Sequence, residues 1–112
     1  MATTAADGDE VYADDLPLVE LFGDTARARL LSVFATKRSR EFTITELAEE
    51  TGLTRASVYD HIDDLVELSA VEAIDVGKRT RYRTADSDVA EKCYELNGVT
   101  LQRLLELEGK LD

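Results

Sequence analysis

A chain of 112 residues carrying a formal net charge of −11 has room for one modest core and little beyond it. Its single cysteine, Cys93, excludes an intramolecular disulfide, and with only one histidine no Cys/His zinc site assembles within one chain. No apolar run is long enough to span a membrane and no basic-then-apolar leader is evident, so the expectation is a soluble, cytoplasmic protein without a cofactor.

Acidic residues outnumber basic ones by 24 to 13. At face value that balance argues against nucleic acid as a partner. Two details redirect the reading. Few of the basic residues are lysine, the pattern of proteins kept soluble in concentrated salt by their net charge, so salt cations at the acidic surface are expected partners. The basic residues also cluster between Arg27 and Arg40 and between Lys78 and Arg83, with Arg55 between the clusters. This arrangement suits a local basic footprint inside an acidic surface.

In chain order, residues 1–15 contain acidic groups and no basic one, and read as a solvated acidic tail. Asp15 is placed to cap a short helix with Pro17 in its first turn, an apolar side of Leu18, Leu21 and Phe22, and Gly23 as its stop. Asp24 is the expected cap of the next helix, whose inward stripe is Ala26, Leu30, Leu31, Val33 and Phe34. Phe42 to Ile44 is short enough for a small strand.

The most informative stretch runs from Thr43 to Leu68. Thr43 and Glu46 have the spacing of a capping box; Ile44, Leu47, Ala48 and Thr51 then share one helical face, and Gly52 stops the helix. Leu53 plugs the turn. Thr54 caps a second helix in which Val58, Ile62, Leu65 and Leu68 recur at helical steps. Two short helices around a tight turn form a helix-turn-helix, whose second helix enters the major groove of DNA. On that helix Arg55, Ala56, Ser57, Tyr59 and Asp60 are left outward or flanking near the N-terminal end. Arginine can donate twice to guanine, Ser57 and Tyr59 can reach phosphate or base edges, Ala56 can meet a thymine methyl, and Asp60 can accept from cytosine. His61 lies near the inward side and reads as a packing residue.

Val71 to Val76 alternates as a strand, Gly77-Lys78 makes a turn, and Arg79 to Thr84 returns with Tyr82 toward the core. Lys78, Arg79, Arg81 and Arg83 beside a glycine turn suit a loop resting on phosphates or entering the minor groove. Finally, residues 87–111 read as a long helix capped by Asp86 or Ser87. Val89, Ala90, Cys93, Tyr94, Asn97, Leu101, Leu104, Leu105 and Leu111 gather on a face too wide for a small domain to cover. A second copy is its expected cover. Val89, Cys93, Asn97, Leu101, Leu104 and Leu105 form the candidate dimer interface, with Asn97 fixing register. Asn97-Gly98 leaves open two shorter helices hinged there.

The segments ELAEETGLTRASVYDHIDDLVEL and VEAIDVGKRTRYRT resemble winged helix-turn-helix transcription regulators, most closely the small arsenic-repressor-like regulators of halophilic archaea. The resemblance covers roughly Leu16 to Thr84. It implies groove contacts from Arg55, Ala56, Ser57, Tyr59 and Asp60, and adds Thr54 and His61. Asp60, Asp63, Asp64 and Glu67 depart from what a DNA-facing helix usually carries.

The expected architecture is α+β and mostly helical: residues 1–15 a tail, 16–85 a winged helix-turn-helix domain with a two-stranded wing, and 86–112 a C-terminal dimerisation helix. The expected function is a homodimeric, sequence-specific regulator of transcription on double-stranded DNA, by default a repressor, with no membrane partner. The competing expectation is a winged-helix module that docks on transcription machinery or another regulator. No phosphate loop, catalytic carboxylate pair or nucleophile–base arrangement stands out, so an enzyme is not expected.

Overall fold

The computed structural model describes residues 16–109; the acidic tail, the Asp15 cap and Leu111 lie outside them. Five helices and one hairpin follow each other as α1 (Pro17–Phe22), α2 (Ala26–Thr36), α3 (Ile44–Thr51), α4 (Arg55–Glu67), β1 (Val71–Val76), β2 (Arg79–Thr84) and α5 (Asp88–Leu107). This is a winged helix-turn-helix with a long C-terminal helix.

The core is built by α2, α3, α4 and the base of the hairpin. Leu30, Phe34, Phe42, Leu47, Val58, Ile62, Leu65 and Val71 are all essentially closed to solvent. Phe34 and Phe42 meet edge-to-face with ring centroids 5.6 Å apart, the arrangement that aromatic quadrupoles favour. The expected small strand is reduced to one bridge: Phe42 and Tyr82 exchange both backbone hydrogen bonds at 2.8 Å. That bridge fixes the hairpin to the segment entering α3.

The caps of the central motif form as their residue types dictate. Thr43 Oγ1 accepts from the Glu46 amide at 3.1 Å while Glu46 Oε1 accepts from the Thr43 amide at 2.8 Å, closing the capping box. Gly52 ends α3 at φ 76°, a left-handed conformation in which a β-carbon would meet Arg29 Nη1 at 3.2 Å. Thr54 Oγ1 then accepts from the Ser57 amide and starts α4.

Three local expectations need correction. Thr25, not Asp24, caps α2; Asp24 instead forms a two-pronged ion pair with Arg29, at 2.6 and 2.9 Å. The carboxylate is drawn to a guanidinium within reach, leaving the neighbouring hydroxyl to take the cap. In α1 the buried residues are Pro17, Leu18 and Val19, while Leu21 and Phe22 are 48% and 65% exposed, because the helix packs through its first turn. Leu68 is 57% exposed, since α4 ends there and the chain turns through a left-handed Ser69.

Helix α5 runs unbroken through Asn97 and Gly98 with Ser87 as its cap. It packs on α1 and α2. Asn97 is only 5% exposed and is satisfied within the chain: Ser32 Oγ donates to its Oδ1 at 2.7 Å and its Nδ2 donates to Thr36 Oγ1 at 3.1 Å. Ser32 Oγ also accepts from the Leu18 amide at 3.2 Å. The residue expected to set register between copies therefore joins α5 to α2 and α1 of its own chain. A buried amide needs such partners, and the hydroxyls of α2 supply them before any second molecule arrives.

Candidate nucleic-acid interface

The inward edge of α4 is Val58, Ile62 and Leu65, and that seal decides what the rest of the helix presents. Arg55, Ala56, Tyr59 and Asp60 are exposed, Tyr59 by 60%, and Ser57 is half-buried with its amide tied to the Thr54 cap. His61 is half-buried on the side facing α2, where Arg27 Nη2 comes within 3.5 Å of its Nδ1. The same Arg27 nitrogen donates to Asp64 Oδ2 at 2.8 Å. Asp64 is thus directed toward α2, while Asp60, Asp63 and Glu67 stay exposed with no ion-pair partner among the described residues.

The hairpin places its arginines by register. Arg79, Arg81 and Arg83 stand opposite Val76, Ile74 and Glu72, and Tyr82 stands opposite Ala73 on the other face. Arg83 is engaged at the base, 3.3 Å from Glu72 and 3.6 Å from Glu41, and Arg81 lies 4.0 Å from Glu46. Lys78 and Arg79, at the tip, have no ion-pair partner among the described residues; nor does Arg55. Tip and helix converge: a cleft of about 670 Å³ is lined by Thr43, Thr45 and Glu46 of the α3 entry, Tyr59 of α4, and Lys78, Arg79 and Arg81 of the wing.

Electrostatics within this region are ordered by hydrogen bonding. The Thr43 amide donating to Glu46 holds that carboxyl below its ordinary range, with Arg81 and Arg40 adding to the effect. Burial pushes the Tyr82 phenol up, and the charge of Asp63 adds to it.

The structure separates the two basic clusters of the sequence. The cluster from Arg27 to Arg40 is consumed inside the chain. Arg27 pairs with Asp64, and Arg29 with Asp24; Lys37 and Arg40 share Glu50; Arg38 pairs with Glu91 and lies over the Tyr94 ring. Arg29 Nη1 also donates to the Thr51 carbonyl at 2.6 Å, bracing the end of α3. Sequence spacing could not show this, because the partners lie up to 53 positions away. Among the described residues, the cations that remain unpaired sit at the start of α4 and the tip of the wing. Of the residues singled out for DNA, Tyr59, Lys78, Arg79 and Arg81 share the cleft, and Arg55 lies one turn of α4 before Tyr59. Asp60 does not line it.

A family model described as the IclR helix-turn-helix domain matches residues 27–74. No curated protein matches the chain. Among solved structures, the AntR antimony-specific transcriptional repressor superposes with a TM-score of 0.63 at 22% identity, covering 82% of this chain and 78% of that one. The adhesin competence repressor AdcR from Streptococcus pyogenes gives 0.61 at 15% identity, covering 74% of this chain and 63% of that one. Reduced HlyU from Vibrio cholerae gives 0.56 at 16% identity, with 78% and 88% covered. The chain shares the winged helix-turn-helix fold of these neighbours, and the domain match supports a DNA-binding transcription regulator.

Proposed function

We propose that this protein is a homodimeric, sequence-specific transcription repressor. The first turns of α4 enter the major groove, with Arg55 and Tyr59 as the principal readers and Thr54, Ala56, Ser57 and Asp60 flanking them. The wing rests on the adjacent backbone through Lys78, Arg79 and Arg81. The observation that carries this reading is the location of the cations left unpaired among the described residues: on a chain of charge −11, Arg55, Lys78 and Arg79 stand at the two elements through which this fold meets a duplex. Repression is supported by the names of two structural neighbours, both described as repressors.

The second copy is supported by the apolar surface of α5, where Val89, Leu96, Leu101 and Leu107 are exposed, and by Leu21 and Phe22 on adjoining α1. Val89, Cys93, Leu101, Leu104 and Leu105 are its proposed interface. Such a dimer addresses two half-sites roughly 34–36 Å apart. Closer kinship with arsenic-repressor-like regulators of halophilic archaea belongs to the same proposal and rests on the Thr43–Leu68 motif and the acidic, lysine-poor composition. A cytoplasmic location accords with it, and no helix among the described residues is long and apolar enough to cross a membrane.

The test is selection from a randomised duplex pool in multimolar KCl. Enrichment of a two-fold-symmetric site is the expected result. A folded, dimeric protein that enriches nothing overturns the reading in favour of a protein-docking module, for which the unpaired carboxylates of Asp60, Asp63 and Glu67 on α4 provide a surface.

A further inference from the structure

Base reading depends on how the first turn of α4 is presented, and one side chain outside that helix grips the backbone leading into it. The geometry points to Arg29 of α2 as a positioning residue for the recognition helix, a role that rests on the DNA-binding reading. It fixes the turn between α3 and α4 and touches no DNA.

Each nitrogen of the guanidinium is committed. Nε and Nη2 donate to the two carboxylate oxygens of Asp24 at 2.6 and 2.9 Å, and Nη1 donates to the Thr51 carbonyl at 2.6 Å. A planar fork used in this way has one pose, which a lysine cannot reproduce. The same pair draws the Asp24 carboxyl below its ordinary range. Thr51 ends α3, so its carbonyl is among the four that a helix leaves without an internal partner, and α3 has no basic residue in its last turn. Arg29 supplies both the donor and the charge from another helix.

The gripped residue is the hub of the turn. Thr51 is fully buried; its hydroxyl donates to the Leu47 carbonyl at 2.6 Å and accepts from the Leu53 amide at 3.2 Å. Thr54, three positions later, caps α4, and Arg55 opens it. A shift of the Thr51 carbonyl is therefore passed within one short turn to the residues proposed to read bases. The Arg29 side chain is only 20% exposed, so it has little to offer a phosphate directly.

The experiment titrates the parent, Arg29→Gln and Asp24→Asn, each shown to be folded by amide NMR, against two duplexes over a KCl series. One duplex is that recovered from the randomised pool and the other is its scrambled version. Asp24→Asn keeps the guanidinium but removes the carboxylate that aims it; Asp24 is half-exposed, so this variant serves if Arg29→Gln does not fold. The expected result is a roughly 2- to 30-fold loss of preference for the recovered duplex, as for residues that act on a site without touching its ligand. The salt slope should stay at the parent's value. A slope changed by about one is the mark of a lost phosphate contact and overturns the positioning role. Folded variants that keep the parent's preference also overturn it, leaving Arg29 a stabilising residue and the regulator reading intact. A parent that prefers neither duplex overturns the regulator reading, and this role falls with it.

Discussion

Gly52 and Ser69 are both left-handed, at φ 76° and 65°, yet only one of them has the side chain that conformation favours. At Gly52 a β-carbon carries the intrinsic left-handed cost of about 1–2 kcal/mol. It also crowds the Arg29 guanidinium that braces Thr51. Gly52→Ala is therefore expected to lower stability by at least about 1 kcal/mol in denaturant unfolding. Ser69→Gly is expected to be neutral or stabilising, since what Ser69 contributes to the Ser87 contact is its backbone carbonyl. Glu46 adds a pH dependence. Its folded pKa is depressed below the ordinary 4.5 by the Thr43 amide. Its contribution is thus fully present above about pH 4.5 and is lost as pH falls through the folded value. Acid unfolding of Glu46→Gln, compared with the parent, should show a smaller loss of stability below that pH. An equal loss in the two proteins would remove Glu46 from the account.

Elements were legible in the sequence where one physical signal dominated. The capping box, the left-handed glycine and the Thr54 cap belong to α3 and α4 and are short-range, so residue spacing alone locates both helices. The wing was legible from alternation around Gly77-Lys78. What was not legible depends on distant partners. The loss of the Asp24 cap to an ion pair, the exposure of Leu21 and Phe22, and the use of Asn97 within its own chain all follow from tertiary contacts. The same holds for the basic residues between Arg27 and Arg40, whose neutralisation by Glu50, Asp64 and Glu91 is invisible in one dimension. At this scale the recognition helix and wing make separable predictions. Arg55→Ala should cost about 1–3 kcal/mol in operator affinity and relax preference at one base pair. Arg79→Ala should weaken binding to all sequences alike. Titrations against the selected site and a scrambled duplex separate the two; equal losses on both duplexes for Arg55→Ala would remove it from base reading.

For the whole molecule, net charge governs how binding answers to salt. An ordinary basic binder loses affinity steeply as salt rises, because the gain from counterion release shrinks. Here only a few unpaired cations face the proposed duplex, surrounded by an acidic surface whose repulsion salt screens. The expected dependence of log affinity on log salt is shallow, or even inverted, when followed from low to multimolar KCl. A slope as steep as that of a protein making about six to ten phosphate contacts would contradict it.

The hydrogen-bonded join between Ser32, Thr36 and Asn97 has a mechanical consequence for that whole assembly. If two copies meet through α5, each DNA-reading body hangs from the shared helix pair by this buried clamp. Distance and twist between the two reading heads then depend on this clamp together with the packing of α5 against α1 and α2. Such a dimer would act as a stiff caliper. Inserting one base pair between half-sites, a displacement of roughly 3.4 Å, should abolish high-affinity binding. Asn97→Ala, which leaves Ser32 and Thr36 without their partner, should blunt that discrimination in a spacer series even while each half-site is still read.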